Sequence, residues 1–135
     1  MSQAISVRRD ILDWLRAEAL LSRAQECCGL LAGVSGVISA VFPARNALAS
    51  PVAFEIAPED LFAIFRSQRA AGLEHLGIYH SHPSGPETPS AADIERAYYP
   101  AAAYFILTPR PRGEATVRAF TIHEGLFAEL NIKEV

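Results

Sequence analysis

The stretch that most restricts the fold is His80-Ser81-His82-Pro83, followed by Pro89-Ser90-Ala91-Ala92-Asp93. Side chains of a strand alternate faces, so His80 and His82 on a strand project together and Ser81 points away. The loop behind them holds Pro83, Gly85, Pro86 and Pro89. Neither a helix nor a paired strand accommodates that density of Pro and Gly. Ser90 has the character of a helix N-cap, which puts Asp93 in the first helical turn. The expectation is a strand, a stiff loop and a helix start that bring two imidazoles and a carboxylate together. Three such ligands suit a divalent metal with one coordination position left open.

Each of these residues also has a plainer reading. A lone histidine in a strand is usually structural, and His75 and His123 are read that way. Ser90-x-x-Asp93 has the form of a capping box, although Glu or Gln is commoner at its last position. The two readings are compatible, because a capped turn holds Asp93 firmly. Imidazoles with one carboxylate suit zinc, and equally iron, cobalt or manganese. A closed structural zinc site takes four protein ligands, and no fourth is evident. Cys27 and Cys28 would face opposite sides of a strand, and small cysteines among apolar neighbours are usually simply buried. An open position implies a bound water, whose pKa on zinc falls to about 7. Hydrolysis then needs a general base close to that water. Glu26 is the candidate, a charged residue out of pattern at the edge of the apolar run 27–32. Its plainer reading is a solvated residue at a strand start, and sequence spacing alone does not bring it to the histidines.

The remaining pattern predicts a mixed α/β domain, with one mainly antiparallel sheet flanked by about three helices. Ile5 and Val7 mark a first strand. Ile11, Leu12, Leu15 and Ala19 recur at helical spacing within 8–21, bordered by Trp14. A buried strand over 27–32, a turn over 33–36 and a partner over 37–42 form a hairpin. A loop over 43–51 carries Arg45 and Asn46, and 54–56 is a brief strand. Pro58 starts a helix that runs to about 71 and buries Leu61, Phe62, Ile64 and Phe65. Further strands are expected over 76–82, 103–108 and 115–122, where Val117, Ala119 and Thr121 share a face. A short helix spans 90–98, and a strand or strand-helix piece ends the chain over 127–135.

With 135 residues, 50% of them apolar, the expectation is a single domain, residues 1–135, with a substantial core. A net charge of -3 without a dense Lys/Arg run argues against nucleic acid as a partner. The most apolar window, 97–107, is short and broken by Pro100, so it does not span a membrane. Met1 opens a polar start without a charged-then-apolar signal segment. The only cysteines are adjacent and allow no disulfide framework. The expected compartment is the reduced cytoplasm. A homodimer through exposed apolar faces is compatible with the sequence but not implied by it.

Glu26, His80-x-His82-Pro83 and Pro89-Ser90-x-x-Asp93 together resemble the JAMM motif of MPN-domain (JAB) metallopeptidases. The ten residues between His82 and Asp93 fit that motif's spacing. Glu26-Cys27-Cys28-Gly29-Leu30-Leu31-x-Gly33 and Gly77-Ile78-Tyr79-His80-Ser81-His82-Pro83 are similar to the family's flanking blocks. The resemblance implies an MPN domain, related to the cytidine-deaminase fold. It implies one catalytic Zn2+ on His80, His82 and Asp93, with water as fourth ligand. Glu26 would take the water's proton and deliver it to the leaving amine, and Ser90 would donate to the oxyanion. The chain is similar to compact, stand-alone prokaryotic members, since it has little room for the insertions of ubiquitin-cleaving relatives. The implied partner is the C-terminal tail of a ubiquitin-like or sulfur-carrier protein, added along a strand edge. Asn46 and the loop 43–51 would flank that groove, or form plain surface. Two rivals stand beside this reading. One is a non-catalytic MPN scaffold, which the complete set of motif residues disfavours. The other is a different divalent-metal enzyme. Metallo-β-lactamase-like sites need x-Asp-His after His-x-His, where this chain has Pro83-Ser84-Gly85. Deaminases need His-x-Glu and Pro-Cys-x-x-Cys, both absent. Cupin-like iron oxygenases share a two-His-one-carboxylate set but are nearly all-β.

Overall fold

The computed structural model describes residues 3–135, so Met1 and Ser2, including the polar start read from them, lie outside it. In chain order the elements are β1 (Ala4–Val7), α1 (Arg9–Leu21), β2 (Cys28–Val34), β3 (Val37–Ala44) and α2 (Pro58–Ala70). They continue with β4 (Glu74–Ser81), α3 (Ala91–Glu95), β5 (Ala103–Pro109), β6 (Ala115–His123) and β7 (Leu126–Glu134). The strands lie in the order β1-β3-β2-β4-β5-β6-β7 and close into a barrel. Neighbours β2–β3, β2–β4, β5–β6 and β6–β7 run antiparallel. β4–β5, β1–β7 and β1–β3 run parallel. Closure rests on β1, which pairs along β7 and meets β3 only at Ser6↔Val37 and Val7↔Ile38. No helix among the described residues is long and apolar enough to cross a membrane.

The core follows from two apolar patterns. Ile11, Leu12, Leu15 and Ala19 are the buried stripe of α1. They pack with Leu31, Phe105, Leu107 and Ala119, while Trp14 covers the edge and meets Tyr79 edge-on at 5.9 Å. β5 is buried along its whole length, as expected of an apolar run covered on both faces. Its other face joins Ile78, Tyr104 and Ile122 in a second cluster.

Several expectations needed correction. Residues 54–56 form no strand, only the isolated bridge Asn46↔Ile56. The chain ends in a single strand, β7, with no helical piece. α3 is shorter than expected and starts one residue later, with Ser90 as its N-cap. α2 buries Ile64 and Gln68, whereas Phe62 is 64% exposed. Phe62 stands two residues before Ile64, roughly 200° away around a helix, so both cannot face the sheet. The Arg66 guanidinium lies over the exposed Phe62 ring.

Glycine matters most where β2 meets its neighbours. At Gly33, beside a register shift in the β2–β3 ladder, a Cβ would fall 1.7 Å from the Val37 carbonyl oxygen. That neighbour is backbone and cannot swing aside. Gly33→Ala is therefore expected to destabilise the fold by about 3 kcal/mol. Gly36→Ala sits at a φ of +76° with open space around its Cβ and should cost about 1 kcal/mol. Urea midpoints at constant m-value measure both.

Candidate metal centre

β4 delivers His80 near its end, and His82 follows just beyond it. The Ser81 N–H donates to the Cys27 carbonyl at 3.0 Å, and the His82 N–H to the Leu107 carbonyl at 2.9 Å. Ser81 faces away, as alternation requires, and its Oγ accepts the Cys27 N–H at 2.9 Å. Both imidazoles are buried, at 1% and 5% exposure. Asp93 arrives from the first turn of α3 through a complete capping box. The Asp93 N–H donates to Ser90 Oγ at 3.1 Å, and the Ser90 N–H donates back to Asp93 Oδ2 at 2.9 Å. That same oxygen lies 3.1 Å from His80 Nε2 and 3.0 Å from His82 Nε2. The two Nε2 atoms are 3.0 Å apart.

This near-equilateral triangle can be tested as a cation site. His82 Nδ1 lies 2.7 Å from the Pro86 carbonyl oxygen. A carbonyl only accepts, so Nδ1 carries the proton. Neutral His82 then turns a bare Nε2 toward a carboxylate oxygen, and two acceptors in contact require a shared proton or a cation. Tetrahedral zinc with bonds of 2.0–2.1 Å keeps its ligand atoms roughly 3.3 Å apart, close to the spacing here. A ring N–H spent on a backbone carbonyl is also the usual way a ligating histidine is oriented. His80 is oriented differently. Phe54 stacks on its ring at 4.4 Å and 19°, and its buried Nδ1 has no partner among the described residues. The residues present fit a small divalent ion.

Charge at the triangle is unevenly held. Burial pushes the His80 pKa down. Burial also lowers that of His82, but Asp93 and the Pro86 carbonyl outweigh it and the net shift is upward. Burial raises the Asp93 pKa, yet contact with His80 and His82 holds the carboxyl well below the usual range.

Glu26 stands two residues before β2, which pairs with β4 so that Cys28 faces His80. That pairing brings it to the histidines, with a carboxylate oxygen within 4.8 Å of their ligand atoms. Glu26 is 3% exposed, so its solvated reading does not hold. Its Oε1 has no hydrogen-bond partner among the described residues. Burial raises its pKa to about 7, with His82 pulling it down and Asp93 pushing it up. Ser90 is half-buried. Capping uses its oxygen as an acceptor and leaves the hydroxyl proton free for another partner. Cys27 and Cys28 are free thiols, with Cys28 buried and its pKa pushed up by burial to about 12.

Sequence reasoning missed two contributors, the Pro86 carbonyl and the Phe54 stack, and it read Asn46 as a groove flank or plain surface without foreseeing its burial. Asn46 is 7% exposed and donates to the Glu26 carbonyl at 3.1 Å. A polar residue in a polar-looking loop gave no periodic signal of burial. It also missed an apolar cavity of about 290 Å3 beside the triangle, walled by Phe54, Ile56, Leu61, Tyr104, His80 and Asp93.

The family described as prokaryotic homologs of the JAB domain matches residues 8–123. The desampylase of Haloferax volcanii is 38% identical over 135 residues, covering 98% of this chain and 94% of that protein. A probable TtuB-protein conjugate cleaving protease of Thermus thermophilus is 38% identical over 120 residues, covering 88% of this chain and 76% of the relative. A JAB1/MPN domain protein from Archaeoglobus fulgidus has the same fold, with a TM-score of 0.62 at 19% identity over 96% of each chain. The family match spans most of the chain and the two relatives align along nearly all of it, so this protein belongs to the prokaryotic JAB-domain family and is a JAMM-type peptidase.

Proposed function

We propose that the chain is a zinc-dependent peptidase acting at the C-terminal tail of a ubiquitin-like or sulfur-carrier protein. The observation that carries this reading is the buried triangle of His80 Nε2, His82 Nε2 and Asp93 Oδ2 with the unpartnered Glu26 carboxylate beside it. His80, His82 and Asp93 would hold the ion. A bound zinc would supply a Lewis acid and lower the pKa of a water to about 7. Glu26 would take the proton of the attacking water and hand it to the leaving nitrogen. Its pKa near 7 suits a group that must both accept and release a proton at neutral pH. The Ser90 hydroxyl would donate to the oxyanion that develops on the carbonyl. A desampylase and a conjugate-cleaving protease among the relatives support a peptide or isopeptide bond in such a tail as the target. The same reading takes residues 1–135 as one domain working in the cytoplasm, where Cys27 and Cys28 stay reduced.

Glu26, His80 and His82 also meet the geometry of a metal group. Asp93 is preferred as third ligand because its Oδ2 forms close edges with both imidazoles. Substitution separates the two assignments. Asp93→Asn should lose bound metal on dialysis, whereas Glu26→Gln should keep it and lose about 10²–10⁴-fold in rate. Metal analysis with single-turnover cleavage checks both. Ser90→Ala should lower kcat by about 10²-fold with little change in KM. Zinc-loaded wild type is to be incubated with sulfur-carrier fusions and the products weighed by mass spectrometry. No cleavage of any fusion, with Glu26→Gln indistinguishable from wild type, would sink the proposal.

A pH prediction follows from Glu26. Its pKa rises from 4.5 to about 7 on folding. The folded state therefore prefers the protonated acid, and that contribution fades as pH climbs from about 4.5 through 7. Metal-free wild type should lose on the order of 3 kcal/mol across this window relative to Glu26→Gln. Denaturant titrations of both proteins at pH 4.5 and pH 8 measure the difference.

A further inference from the structure

Asn46 has no place in the metal-binding or proton-transfer roles above, yet its side chain joins both sides of the site. Nδ2 donates to the carbonyls of Glu26 at 3.1 Å and Ala53 at 2.9 Å, with a longer contact to Ser50 at 3.4 Å. Oδ1 accepts the N–H groups of Leu48 at 3.1 Å and Glu55 at 3.2 Å. One end meets only acceptors and the other only donors, so the amide orientation is fixed by its partners. Beside the bridge Asn46↔Ile56 and the Ala47 N–H bond to the Glu55 carbonyl at 2.8 Å, the side chain adds the links that a full strand over 54–56 would otherwise supply.

The segment tied down in this way reaches the site twice. Its Ser50 carbonyl accepts the Glu26 N–H at 2.8 Å, so the main chain of the base is held from both its N–H and its carbonyl. Its Phe54 stacks on His80. Val52, Ala53, Phe54 and Glu55 wall the cavity beside the ligands. The turn is also under strain. Ala49 sits at a φ of +47°, a region alanine avoids, and its N–H is held by the Asn46 carbonyl at 3.0 Å.

We propose that Asn46 is a positioning residue that fixes Glu26 and the cavity wall 52–55 as a single unit. It touches no reacting atom and acts through the main chain of the base, so the proposal rests on the reading of Glu26 as that base. Misplacing a proton-transfer group by about 1 Å can cost up to roughly 10²-fold in rate.

The test is a double-mutant cycle with an exchange experiment beside it. In zinc-loaded protein, Asn46→Ala is expected to lower kcat by about 10–10²-fold and to raise KM. In the Glu26→Gln background the same substitution should change kcat by less than about twofold, while the rise in KM persists. Amide exchange should accelerate at Glu26, Leu48 and Glu55 by at least ~10-fold, with Phe105 and Leu107 in β5 unchanged. Equal factors on kcat in both backgrounds, or exchange that accelerates evenly across the barrel, would overturn the proposal. Unchanged exchange at Glu26 would overturn it too. Asn46→Ser, which leaves a short hydroxyl in the buried position, covers the case in which the alanine variant does not fold, and the same exchange and kcat outcomes then decide. A wild type that cleaves no substrate defeats the peptidase reading, and the exchange pattern still decides for or against Asn46.

Discussion

The antiparallel pairing of β2 with β4 is the constraint on which the site depends. It places Cys28 opposite His80, and Ser81 closes the end by accepting the Cys27 N–H on the face away from the histidines. Slipping this ladder by one residue would turn both imidazoles to the wrong face. Glu26 would lose its neighbours in the same movement, because it is carried just ahead of β2. Everything else arrives around that pair. The loop after His82 returns a carbonyl to orient His82, and α3 returns a carboxylate.

The barrel supplies rigidity that the site itself lacks. Two imidazoles, a carboxylate and a glutamate oxygen without a partner among the described residues crowd one buried space. Unpaired buried polar groups are costly, and the capping box and the Pro86 carbonyl satisfy only part of the set. The buried faces of α1 and β5 offset the remainder at a distance. Stability at the core and tension at the centre are thereby divided between different parts of one small chain.

Much of this was legible in the residues. The spacing of His80 and His82 and the punctuation that follows describe a strand, a loop and a helix start without reference to any partner. The α1 stripe and the β5 run are strong periodic signals. Glu26 was not legible from pattern alone, because what buries it is the β2–β4 pairing, a contact between distant segments. Phe62 misled because its apolar character says nothing about the side of α2 on which it falls. The part from 46 to 56 was the least readable. It is ordered by a few isolated main-chain bonds and one amide side chain instead of a full ladder, and no period in a sequence reports that.

The double duty of Asp93 Oδ2 narrows what position 93 can be. Capping boxes commonly end in glutamate, and glutamate is the better helix former. Here the oxygen that accepts the Ser90 N–H is also the one that meets both imidazoles. An added methylene would carry the carboxylate past one of these two appointments. The position is thus settled by reach, with helix preference overruled, and a sequence optimised for local helix strength would choose wrongly there.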